Sequence, residues 1–192
     1  MNLADIEKNL NLDFKNKALL RQALTHRSYL NEHAEEKLSS NERLEFLGDA
    51  VLEFVISEML FTKFPKPPEG VLTALRAKLV CTESLAEMSK DLKLGEYLYL
   101  SRGEEKENGR INQTLLANVF EALVGAIFQD RSIQTASQFI EKHFAPKIST
   151  LTANDLKDPK SLLQEKIQRK EKMTPYYKVL KELGPHHARV FV

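Results

Sequence analysis

A single cysteine, Cys81, stands in 192 residues, and tryptophan is absent altogether. One thiol closes no internal disulfide and builds no cysteine-based zinc site. That excludes the disulfide scaffolds of small secreted proteins and fits a reducing compartment. Glycine and proline are also scarce, with 7 of each, so collagen-like and low-complexity chains are excluded. No apolar run approaches the ~20 residues a membrane-spanning helix needs. The longest, counting glycine, runs from Ala122 to Phe128. The amino terminus, MNLADIEKNLNLDF, carries acids early and lacks the apolar centre of a secretory signal. A cytoplasmic protein without a membrane segment is expected.

What remains is 42% apolar and 29% charged, the composition of a soluble chain that can bury a sizeable core. The net charge of +1 is unevenly placed, with 19 Lys/Arg against 22 Asp/Glu through residue 154 and 9 against 5 from residue 155 onward. An acidic body with a basic tail hints at an acidic site beside a module that faces nucleic acid. A solvated, lysine-rich surface is the plainer alternative.

Helical periodicity dominates the first 150 or so residues. Lys15 to Ala23 reads as a short amphipathic helix. Leu44, Leu47, Val51, Leu52, Val55, Ile56, Met59 and Leu60 then recur at spacings of three and four. Asn41 is a suitable N-cap for that helix, and Pro65, Pro67 and Pro68 must end it. The next run starts near Glu69 and restarts at Thr82. The polar segment SRGEEKENGR reads as a loop before a strongly apolar helix from Asn112 to Gln129, and a last helix starts at Ile133, with Pro146 expected to interrupt it. After Lys157 the pattern changes. KDPKSLLQEKIQ reads as a helix, TPYYKVLKEL alternates like a strand, Gly184-Pro185 signals a turn, and ARVFV starts a second strand. So short an α-β-β segment has too little core to stand alone.

The chemistry lies in the acids. In NERLEFLGDAVLEFV, Glu42, Glu45 and Asp49 stand at i, i+3 and i+7, on one face of a helix. Such acids repel one another unless a cation sits among them. In LLANVFEALVGAIF the two polar side chains are Asn118 and Glu121. A glutamate in so apolar a helix is at least partly buried, and a buried carboxylate needs a partner. A hard divalent cation shared with Glu45 and Asp49 would supply one, and magnesium suits such oxygen ligands. A solvated acidic face on the first helix, and a salt bridge to Lys or Arg on the second, remain the structural alternatives. Two acidic helices, the further acid Glu69 and a basic tail suit metal-dependent phosphodiester hydrolysis. No glycine-rich phosphate loop and no histidine cluster supports a small-molecule metallohydrolase.

NERLEFLGDAVL closely resembles the signature of the ribonuclease III family. ALTHRSY (Ala23 to Tyr29), PEGVLTALRAKLV (Pro67 to Val80), LGEYLYLSRGEEKENGR (Leu94 to Arg110) and LLANVFEALVGAIFQD (Leu115 to Asp130) resemble further family blocks in the expected order. The resemblance implies an all-α, ribonuclease III-like endonuclease domain over residues 1–152. It implies an enzyme that forms a homodimer and hydrolyses double-stranded RNA to 5′-phosphate and 3′-hydroxyl ends with short 3′ overhangs. Processing of ribosomal and other structured RNAs is the implied role. Mg²⁺ is the implied cofactor, with Mn²⁺ able to substitute and no small-molecule cofactor.

Carried over by position, Glu45, Asn118 and Glu121 fall on metal-ligand positions, and Asp49 on the position near the metal that helps activate the attacking water. Glu42 and Glu69 match acids around the same valley, and Phe46 matches an aromatic of the dimer interface. Thr25, His26, Arg27 and Ser28 are candidate contacts to the RNA backbone. After a linker at 153–156, residues 157–192 resemble the start of a double-stranded-RNA-binding domain, an α+β (α-β-β) piece that looks truncated. Gln164, Glu165 and His187 are its candidate RNA contacts. One departure stands out: the family's usual residue at position 118 is aspartate, and here it is asparagine. An amide oxygen still ligates magnesium, but the site loses a negative charge. A catalytically impaired relative that binds duplex RNA without cutting is therefore the alternative.

Overall fold

The computed structural model describes residues 3–151, 167, 168, 170, 182, 183, 190 and 191. The chain divides into two compact units, Met1–Thr152 and Ala153–Val192.

The described part of the first unit is helical: α1 (Leu3–Leu10), α2 (Lys17–Ala23), α3 (Arg27–Glu32), α4 (Glu42–Lys63), α5 (Glu69–Leu79), α6 (Thr82–Asp91), α7 (Arg102–Lys106), α8 (Gln113–Asp130) and α9 (Ile133–Ser149), with short 3₁₀ turns between some of them. At its centre lies α8. Asn112 caps it by accepting from the amides of Thr114 and Leu115. Its apolar residues surround it on nearly every side, and ten of them from Leu116 to Ile127 are buried, which is the signature of a helix enclosed by neighbours. It packs most extensively against α4, then α6, α2 and α9. Phe120 is fully buried between the rings of Phe139 and Phe144, at 6.1 and 6.0 Å. Burying each such ring stabilises the fold by roughly 1.5–3 kcal/mol.

The long α4 ends at Lys63, just before the proline cluster, and α5 breaks at Val80–Cys81 before α6 restarts at Thr82. Three local expectations are corrected. Pro146 does not interrupt the last helix, which continues to Ser149. Its missing amide falls near the helix end, where Phe144 and Ile148 are buried on either side of it and Lys63 Nζ donates to the Ile148 carbonyl at 3.0 Å. Asn41 precedes α4 without capping it through its side chain. It is itself buried in helical backbone geometry, and its backbone amide donates to the Thr25 carbonyl at 2.9 Å. The segment read as a polar loop contains α7, capped by Ser101. Arg110 pins its far end by donating to the carbonyls of Gly95 and Glu96 at 2.8 and 3.1 Å.

The sequence reading also passed over α1. Ile6 and Leu10 of that helix are buried, and buried Glu7 accepts from the Phe14 amide at 2.6 Å and pairs with Lys17.

In the second unit Ile167, Gln168 and Lys170 are helical. A two-residue strand β1 (Glu182–Leu183) pairs antiparallel with β2 (Val190–Phe191) in the register Glu182 with Phe191 and Leu183 with Val190. Gln164, Glu165 and His187 lie outside the described residues, as does most of the expected α-β-β segment. Among the described residues no helix is long and apolar enough to cross a membrane.

Candidate active site

The contact between α4 and α8 is set by two glycines. A Cβ at Gly48 would stand 1.8 Å from the Glu121 carbonyl oxygen, and one at Gly125 would stand 2.2 Å from the carbonyl oxygen of Leu44. The two backbones therefore touch, closer than any other residue pair at those positions would allow. Helical spacing does the rest. Glu45 and Asp49 flank Gly48 on α4, while Glu121 and Asn118 lie one and two turns before Gly125 on α8.

Three of these groups act on one another through their charges. The Glu121 carboxyl is pushed up to about 7, first by burial and then by the charges of Asp49 and Glu45. Glu45 is raised by burial, then by Glu42 and Asp49. Among the described residues, the charges that act on these two groups are those of other carboxylates. A half-buried carboxylate whose ionisation is opposed by like charges has the character of a cation ligand, and the donor set is all oxygen. Glu45, Asp49 and Glu121, with the half-buried Asn118 supplying an amide oxygen, thus fit a hard divalent ion that retains part of its water.

A tighter trio lies elsewhere. Among the described residues, the His, Cys, Asp and Glu side chains whose ligand atoms all fall within 4.8 Å are those of His33, Glu35 and Glu36. There Glu36 accepts from the Tyr29 hydroxyl at 2.8 Å and pairs with Arg21, and the imidazole stacks on Tyr29 at 4.0 Å. That network already satisfies the Glu36 carboxylate and fastens α2 to α3.

Other expected residues separate. Glu69 is not among the groups acting on Glu45 or Glu121. Its carboxylate accepts from Thr73 Oγ1 at 2.9 Å, and it borders a cleft of 470 Å³ shared with Phe54, Ser57, Phe61, Leu72 and Arg76. Thr25 is wholly buried and donates to the Arg21 carbonyl at 2.7 Å, so its hydroxyl is not offered to a ligand. His26 caps α3, its Nδ1 2.8 Å from the Ser28 hydroxyl, and burial lowers its pKa. Ser28 Oγ accepts from the Ser101 amide at 3.1 Å, while Arg27 faces solvent beside Glu42. Phe46 is 80% exposed, and Phe54 and Phe61 are 59% and 72% exposed on the same helix. At 46, 54 and 61 they share one face of α4.

The glycine contact escaped the sequence reading. The signal was available, since Gly48 and Gly125 are the glycines of the two acid-bearing helices, one in LEFLGD and one in LVGAIF.

Comparison with known proteins shows the family. Residues 16–148 match the family model described as ribonuclease-III-like. The chain is 45% identical over 187 residues to ribonuclease 3 of Bacillus velezensis, covering 97% of this chain and 75% of that one. It is 46% identical over 192 residues to ribonuclease 3 of Chloroflexus aggregans, covering 99% and 83%. Among solved structures, the nuclease domain of ribonuclease III from Campylobacter jejuni, described with a flexible region involved in dimer formation, superposes with a TM-score of 0.68. It is 41% identical and covers 75% of this chain and 99% of that one. By the match over most of its length and by these relatives, the chain belongs to the ribonuclease III family.

Proposed function

We propose that this chain is a magnesium-dependent endonuclease of the cytoplasm, one that hydrolyses double-stranded RNA and works as a homodimer on ribosomal and other structured RNAs. The observation that carries this reading is Glu121, half-buried and opposed by Asp49 and Glu45 across the glycine contact. Glu45, Glu121 and Asn118 would hold Mg²⁺ or Mn²⁺, which supplies neutralisation of phosphate charge and a more acidic bound water. Asp49, exposed at the rim, accepts a hydrogen bond from the attacking water and orients it. The water oxygen adds to phosphorus and the bond to the 3′ oxygen breaks, leaving a 3′-hydroxyl and a 5′-phosphate. Two such sites, one per protomer, would cut the two strands with a short 3′ overhang. The direct test is cleavage of an end-labelled duplex in magnesium.

Asn118 favours a second reading, a relative that grips duplexes and cuts them poorly. Restoring the charge decides between them. Asn118→Asp should lower the Mg²⁺ concentration for half-maximal cleavage by about tenfold, because a neutral oxygen becomes an anionic one. An unchanged magnesium titration would remove residue 118 from the ligand set.

The dimer rests on the exposed stripe of α4. Apolar side chains lined up on one face mark an interaction surface. Phe46→Asp should weaken self-association by about 30-fold or more, the effect of losing one interfacial anchor. A dimer unchanged by light scattering would contradict this. Residues 157–192 are proposed as part of a double-stranded-RNA-binding module, with Gln164, Glu165 and His187 as contacts, supported by their sequence resemblance.

A further inference from the structure

Asn108 and Gly109 form the one asparagine–glycine pair of the chain, and the fold fixes the backbone of each for a different reason. Asn108 follows α7 in left-handed geometry, φ 60° and ψ 34°, which asparagine tolerates better than most residues bearing a Cβ. Its amide donates to the Glu105 carbonyl at 3.2 Å, and its carbonyl accepts from the Ile111 amide at 3.0 Å. Gly109 is buried at the start of a 3₁₀ turn, Gly109–Ile111. A Cβ there would stand 2.8 Å from the Glu104 carbonyl oxygen and 3.1 Å from Leu100 Cδ1, so backbone and packing resist any larger residue.

The Asn108 carboxamide is left unheld. The residue is exposed and its side chain makes no capping bond. Asparagine side chains readily turn to the backbone that follows them, and here the next amide belongs to a residue with no Cβ to shield it. Other asparagines are restrained. Asn16 and Asn112 accept as caps from Ala18 and Thr114, and Asn9 Nδ2 donates to the Leu92 carbonyl.

We propose that Asn108 is a site of self-modification, where the chain converts its own asparagine to aspartate and isoaspartate with water as the only co-reactant. The Gly109 backbone nitrogen bonds to Asn108 Cγ, the Cγ–Nδ2 bond breaks, and ammonia leaves with the proton of the Gly109 amide. Water then opens the cyclic imide. Breaking the new N–Cγ bond gives aspartate, and breaking the bond from that nitrogen to the original backbone carbonyl carbon gives isoaspartate. Either product adds a carboxylate to a segment that already holds Glu104, Glu105 and Glu107. Isoaspartate also lengthens the backbone by one carbon between fixed points, the cap of α7 on Ser101 and the Arg110 bonds to the Gly95 and Glu96 carbonyls. Asn112 caps α8 directly afterwards. The change therefore accumulates, as the molecule ages, at the entry to the helix that carries Asn118 and Glu121.

The test is to age the purified chain at 37 °C and mildly alkaline pH, then map it by proteolysis and mass spectrometry. Enzymatic methylation of isoaspartyl carboxyls gives a second readout. The peptide spanning Asn108 should gain one dalton before any other asparagine-containing peptide does, and it should accept methyl groups. Asn108→Gly keeps the left-handed turn, so it should start with the wild-type melt and accept no methyl groups at that position. Ageing should lower the melting temperature of the wild type and leave that of Asn108→Gly unchanged. An Asn108 peptide of unchanged mass after other asparagines have converted overturns the proposal. Equal losses of stability in the aged wild type and Asn108→Gly overturn the strain assigned to the turn.

Discussion

Glu121→Gln should abolish cleavage, with a rate loss of about a thousandfold or more, and leave duplex affinity within about twofold. The substitution keeps the shape of a side chain packed in an almost wholly apolar helix and removes one anionic oxygen. If Glu121 only filled space, a glutamine there would be silent. Its acidity is a second, independent signature. Its carboxyl is pushed up to about 7 by burial, Asp49 and Glu45, so at neutral pH the folded protein bears the cost of ionising it. The stabilisation available while it is protonated is lost as pH rises through that value. Glu121→Gln should therefore raise the melting temperature of the metal-free protein at pH 8 more than at pH 5. A divalent ion reverses the sign by favouring the charged form, so magnesium binding should release protons near pH 6 and tighten as pH increases. Equal melting shifts at both pH values would show that the carboxyl has ordinary acidity.

The second large effect falls on a residue with no functional group. Gly48→Ala places a methyl 1.8 Å from the Glu121 carbonyl oxygen, 2.6 Å from its carbon and 2.8 Å from the Gly125 amide nitrogen. All three are backbone atoms of a buried helix, and none can swing aside as a side chain would. The helices must part, which costs about 3 kcal/mol and should lower the melting temperature by about 6–12 °C. Gly125→Ala meets the Leu44 carbonyl at 2.2 Å and should behave alike. Gly70→Ala is the control, because a Cβ there meets nothing within 4 Å. Alanine at that helical position should be neutral or stabilising. At temperatures where Gly48→Ala remains folded, the separated helices should demand more magnesium for half-maximal cleavage. A Gly48→Ala protein as stable as Gly70→Ala would show that the glycine contact does not set the site.

Much of this site was legible because it rests on helical arithmetic. The i, i+3, i+7 spacing of Glu42, Glu45 and Asp49, and the i, i+3 spacing of Asn118 and Glu121, place acids on faces whatever the tertiary fold. Helix ends marked by covalent chemistry, such as the proline cluster after Lys63, were legible for the same reason. Features decided by distant partners were not. The proline expected to break α9 is carried through by buried Phe144 and Ile148 and by the Lys63 ammonium. Asn41 sits buried in helical backbone geometry and does not cap α4 through its side chain, and Thr25 and Ser28 make structural hydrogen bonds. Glu69, grouped with the other acids by resemblance, borders a cleft beside Phe54 and Phe61.

The central claim is that the α4–α8 crossing is a metal-dependent centre for cutting duplex RNA. It is tested most directly by incubating an end-labelled RNA duplex with the wild type, Asn118→Asp and Glu121→Gln in magnesium and sizing the products. The account predicts staggered cuts on both strands by the wild type, the same cuts at lower magnesium by Asn118→Asp, and none by Glu121→Gln. Cleavage by Glu121→Gln at the wild-type rate, or an intact duplex with both the wild type and Asn118→Asp despite binding, would contradict it.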